Sequence, residues 1–113
     1  MELQFEELSA GIGVIKLIGR LDIIGVGQIE TRFAGYCAGA NVRMIVDLSS
    51  VDFLASIGIR LVMVNAKSLA SRNGKMALIK PSADVMHVLE VTGIPAVIPV
   101  YSNLESAEAV LLA

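Results

Sequence analysis

A chain of 113 residues in which 55% are hydrophobic fits a single domain spanning 1–113, with enough apolar material for its own core. Nine basic and eleven acidic residues leave a net charge of −2, and they are scattered, without a basic block or an arginine-rich helix. With no Trp and few Phe or Tyr to stack on bases, direct nucleic-acid binding is excluded as the expected function.

The lone cysteine, Cys37, cannot form an internal disulfide, and one His plus one Cys is far short of a metal-ligand set. No cofactor is expected. The apolar runs Ile12–Leu21 and Ile57–Ala66 are interrupted by Lys16, Arg20, Arg60 and Asn65. Both fall well short of the roughly 20 apolar residues that span a bilayer. The chain opens with Glu2, Glu6 and Glu7, unlike the basic start of a signal peptide. These features predict a soluble, cytoplasmic protein with no membrane insertion.

In chain order, Leu3 and Phe5 alternate with Glu2, Gln4 and Glu6, the two-residue period of a strand with one wet face. A turn at Ala10-Gly11 leads into a second strand, Ile12–Ile18, completing an N-terminal hairpin. Gly19-Arg20-Leu21-Asp22 reads as the strand exit. A helix of about three turns follows, with Val26, Ile29, Phe33 and Cys37 on one stripe; Cys37 is thus expected in the core. Val42–Leu48 reads as a buried central strand. Beyond Ser49–Leu54 a helix is predicted from Ser56 to about Arg72, stopped by Asn73-Gly74.

Lys75–Lys80 reads as a strand ended by Pro81, and Ser82–Val91 as a short helix closed by Thr92-Gly93. Ala96–Val100 reads as a last strand, placed at a sheet edge by Pro99. Ser102 is expected to cap a C-terminal helix, with Glu105 completing a capping box. The sum is an α/β domain: a mixed sheet with an N-terminal hairpin and about four helices.

Asp52–Ile59 concentrates the functional signal. Ser56 stands where an extended run becomes a helix, a position where a hydroxyl can accept from free backbone N–H groups. A helix start also favours a phosphate. Gly58, lacking a side chain, is expected to leave room for a partner beside Ser56. The competing role for Ser56 is that of a plain N-cap, which the residue pattern alone favours. In the predicted helix, Ile59, Val62, Met63, Ala66, Leu69 and Ala70 share one face. Ile57, Leu61 and Val64 share nearly the opposite one, flanked by Arg60 and Lys67. This second stripe needs a cover: a neighbouring helix, a partner protein, or a second copy in a homodimer.

Four segments, in order, resemble the STAS family and within it the bacterial anti-sigma factor antagonists. They are Gly19-Arg20-Leu21-Asp22, Ile45–Ser49 with Val51–Leu54, Ala55-Ser56-Ile57-Gly58-Ile59, and Leu89-Glu90-Val91-Thr92-Gly93-Ile94. The third is similar to the family's Asp-Ser-Ser-Gly-Leu, whose first serine is its phosphorylation site. The resemblance implies a non-enzymatic partner switch: an anti-sigma factor with serine kinase activity binds the unphosphorylated antagonist and releases its sigma factor. Phosphorylation blocks that binding, and a phosphatase restores it. Ser56 would be the phosphoacceptor. Asp22, Ala55, Ser56, Ile57, Gly58, Arg60, Leu61 and Val64 would form the partner-binding face.

Two positions depart from the family pattern: Ala55 replaces its acidic residue and Ile57 its second serine. Both changes make the helix entrance more apolar, which suits a constitutive protein contact. An alternative use of the fold is therefore a STAS subunit docked on the ATPase of a lipid-transport ABC system. An enzyme would need Ser56 and His87 as nucleophile and base, with Asp47 or Asp52 behind, but no Gly-x-Ser-x-Gly elbow is present. Gly25-Val26-Gly27 lacks the third glycine and the lysine of a phosphate-cradling loop and is assigned to the helix start.

Overall fold

The computed structural model describes residues 1–8 and 11–113; the expected Ala10 half of the hairpin turn lies outside them. Five strands line up in the order β1-β2-β3-β4-β5. They are β1 (Glu2–Glu7), β2 (Ile12–Leu21), β3 (Arg43–Leu54), β4 (Lys75–Ile79) and β5 (Val100–Tyr101). The first pair is antiparallel, as a hairpin must be, and the remaining pairs are parallel. Four helices connect or follow them: α1 (Ile23–Cys37), α2 (Ser56–Ala70), α3 (Ala83–Val91) and α4 (Leu104–Leu112).

Strand alternation sends side chains to two cores. Ile15, Leu17, Met44, Val46, Leu48 and Leu78 pack with α1, α2 and α3 on one face. Ile12, Ile45, Ala77 and Ile79 form a smaller core with Ala107 and Leu111 of α4 on the other. The stripe read from the sequence, Val26, Ile29, Phe33 and Cys37, is buried along α1. Burial pushes the Cys37 thiol up to about 11, as suits a core residue and not a nucleophile. In β1, Leu3 enters the core, whereas Phe5 is part-exposed and stacks on Tyr36 of α1 with ring centroids 4.1 Å apart.

Several boundaries differ from expectation, beginning with β2, which runs to Leu21 where its end was expected at Ile18. β3 does not end at Leu48 but runs to Leu54, pairing with β2 all the way. Register shifts between Lys16 and Ile18 and between Gly19 and Arg20 break the two-residue burial period there, so the tail looks like a loop in sequence. The expected strand Ala96–Val100 is instead a 3-10 turn at Ile94–Ala96 followed by two strand residues. Gly93 in the left-handed region (φ 77°) and Pro95 start that turn, and the Ile98 N–H donates back to Ile94 O at 2.8 Å. The α4 cap is Asn103, not Ser102; its Oδ1 accepts from the Ser106 N–H at 2.8 Å. Ser82, read from the sequence as the first residue of the α3 helix, is its cap, accepting from the Val85 N–H.

Candidate functional site

Parallel β2 and β3 end side by side, with Arg20 opposite Phe53 and Leu21 opposite Leu54. Each runs directly into a helix, so the starts of α1 and α2 emerge together at the C-terminal end of two central strands. The Ala55 N–H donates to Leu21 O at 3.1 Å and ties the two corners. Asp22 caps α1, its Oδ1 accepting from the Gly25 N–H at 2.8 Å. The Arg20 Nε–H donates to Asp22 Oδ2 at 3.3 Å, and the same guanidinium lies 4.1 Å from the centroid of the Phe53 ring. The Gly25 N–H first, and then Arg20, hold the Asp22 carboxyl below the usual carboxylate range. Gly25 is required here: a Cβ on it would strike the Arg20 carbonyl, which accounts for its place at the helix start.

The cap of α2 is Ala55, which offers no side-chain acceptor, and Ser56 is the first helical residue. The N-cap role expected of Ser56 is therefore not the one it fills. Its hydroxyl is exposed and, among the described residues, not committed to a backbone N–H. Gly58 also serves a different purpose from the one expected. It is buried, and a Cβ would lie 2.7 Å from Leu21 Cγ and 2.8 Å from Leu21 O. Its bareness lets α2 approach β2 and does not open a space for a partner.

The second stripe of α2 divides. Leu61 is 8% exposed and covered by the domain, Ile57 is half-buried, and Val64 is 53% exposed. The cover is α1, which packs beside α2 and leaves a groove of about 610 Å³ between them, lined by Val26, Glu30, Ile57, Arg60, Leu61 and Val64 among others. Asn65 lies in the groove floor, its amide donating to Leu61 O at 2.9 Å. Of the expected docking face, Asp22, Ala55, Ser56, Ile57, Arg60 and Val64 reach the surface. Gly58 and Leu61 do not; they are support beneath it.

Three exposed apolar residues join this face without having been singled out by sequence: Ile23 at 72%, Ile24 at 69% and Phe53 at 41%. The imagined triad does not assemble. His87 is exposed on α3 and, among the described residues, bonds to neither Ser56, Asp47 nor Asp52, while Asp47 Oδ1 accepts from the Ser49 N–H. Among the described residues no His/Cys/Asp/Glu group could hold a metal, and no helix is long and apolar enough to cross a membrane.

The family model described as the STAS domain matches residues 7–107. The chain belongs to the STAS domain family. An anti-sigma F factor antagonist of Lysinibacillus sphaericus is 30% identical over 95 residues, covering 83% of this chain and 81% of its own. BtrV of Bordetella bronchiseptica, assigned the role of anti-sigma factor antagonist, is 28% identical over 109 residues, covering 96% and 93%. Among solved structures, a STAS-domain anti-sigma-factor antagonist from Planctomyces limnophilus superposes with a TM-score of 0.87 at 26% identity, covering 98% of both chains. The mixed sheet with its hairpin and four helices is thus a STAS fold, and the two helix starts at Asp22 and Ser56 stand at the C-terminal end of its central strands.

Proposed function

We propose that this STAS domain is an anti-sigma factor antagonist whose partner docks around Ser56, at the C-terminal end of the central strands. The observation that carries the proposal is an exposed serine with an uncommitted hydroxyl at the first residue of α2, with exposed Ile23, Ile24 and Phe53 at the same pair of strand-to-helix corners. A serine kinase, most economically the anti-sigma factor itself, would transfer the γ-phosphoryl of ATP to Ser56 Oγ. The hydroxyl proton leaves to the kinase base and ADP departs. The product carries about −1.5 to −2 charges at neutral pH. That charge, placed among apolar contact residues, must be desolvated for docking to occur, so the partner is released. A phosphatase would return the hydroxyl. The protein itself contributes no catalytic step, only a surface. The relatives named as antagonists support this assignment.

The test is affinity capture by wild type, Ser56→Ala and Ser56→Asp, with the captured protein identified and its Kd measured. An anti-sigma factor bound by the first two, and at least about tenfold more weakly by the aspartate, is the expected result. Equal affinity for all three would remove the switch. Recovery of an ABC ATPase in place of an anti-sigma factor would overturn the assignment in favour of transporter docking.

A further inference from the structure

Ser56 and Arg60 are separated by one turn of α2, and both are exposed. Residues at i and i+4 lie on one helix face with Cβ atoms about 5–6 Å apart. Helical side chains lean towards the N-terminus, so Arg60 covers the turn that Ser56 begins. The acidic group preceding the basic one is the favourable order for such a pair. Arg60 is also uncommitted. Arg20, Arg32 and Arg72 each donate to a partner within the domain, whereas among the described residues Arg60 forms no such bond.

The charged groups around it do not change this. Glu30 of α1 lines the same groove but makes no ion pair with Arg60. Arg20 and Asp22 across the corner are engaged with each other, and Asp52 is exposed on β3.

We propose that Arg60 is the phosphate-binding residue of the switch. The inference rests on Ser56 being the phosphoacceptor and names how the modified state is held. In the unmodified protein the guanidinium lines the α1–α2 groove. Once a phosphate stands at Ser56, it pairs with that group one turn back and withdraws from the groove. Modification then alters the surface at two places, adding charge at the helix start and removing a cation from the groove beside Val64.

The test uses the full chain with phosphoserine installed at position 56 through an expanded genetic code, so that neither kinase nor partner is needed. Titrating the phosphorus NMR shift gives the second phosphate pKa, ordinarily about 6. Arg60→Gln is expected to raise it by about 0.3 pH unit or more at low salt, because the dianion loses its cation. Arg60→Lys restores most of the difference, and salt near 1 M, where the Debye length is about 3 Å, abolishes it. Titration of Arg60→Gln identical to the parent at low salt, or of Arg60→Lys identical to Arg60→Gln, overturns the proposal. Absence of phosphorylation in the cell would sink the antagonist switch and leave this titration standing; identical curves would do the reverse.

Discussion

Asp22 shows how one side chain can organise a corner. Its carboxylate accepts from the Gly25 N–H and from Arg20, and Arg20 in turn covers Phe53. The folded pKa lies below the ordinary 3.8, so folding favours the ionised form. That stabilisation is complete above the unfolded value and is lost as pH falls through the folded one. Thermal unfolding of wild type and Asp22→Ala should therefore differ most at neutral pH, and the difference should narrow as pH falls below about 4. Asp22→Asn, which keeps a capping oxygen, should lie between them at neutral pH. A gap that stayed constant down to pH 2 would show that the carboxylate charge contributes nothing to the cap. At this scale local pattern and family likeness pointed to Asp22, Ser56, Ile57, Arg60 and Val64, and the fold leaves all five at the surface. The cap assignment was not legible, because Ser56 and Ala55 differ by a single residue of helical dihedral. Ile23, Ile24 and Phe53 were hidden because their exposure depends on where two strands end together, which only the tertiary fold decides.

Between elements, contact distance decides what a residue is for. Gly58 is the point at which α2 meets the end of β2, and an added methyl would lie within 2.9 Å of Leu21 Cγ, O and Cδ2. Leu21 O is backbone already accepting from Ala55 N–H, so it cannot retreat cheaply. Gly58→Ala should destabilise by about 1–3 kcal/mol, the cost of overpacking. Gly27 and Gly35 of α1 are exposed, and a Cβ on either would meet nothing within 4 Å. Gly27→Ala and Gly35→Ala should each stabilise by about 0.5–1 kcal/mol through helix propensity. Urea unfolding of the three variants checks the contrast, and a neutral Gly58→Ala would remove the close approach. Helices were the legible elements, because one buried stripe, such as Val26 to Cys37, marks each of them. The far half of β3 was obscured by register shifts that scramble its alternation. The two-residue β5 was obscured by Pro95 and Pro99, which convert an apolar run into a turn.

Across the whole molecule, the sheet separates two tasks. The parallel order from β2 to β5 puts the starts of α1 and α2 at one end of the strands, and their packing on one face forms the larger core. The opposite face is closed by α4 alone over Ile12, Ile45, Ala77 and Ile79. Leu111 is 2% exposed within this smaller core, so Leu111→Ala should cost about 2–5 kcal/mol, the usual range for a buried leucine. None of the residues around Ser56 belongs to that cluster. At a temperature where the variant remains folded, its affinity for the proposed anti-sigma factor partner and its response to Ser56→Asp should equal those of the parent. Denaturant unfolding measures the first effect and a binding titration the second. A weakened partner contact in folded Leu111→Ala would mean that α4 conditions the proposed docking surface through the central strand. The sheet would then transmit strain between its faces, and the corner at Asp22 and Ser56 would depend on packing at its back as well as on its own bonds.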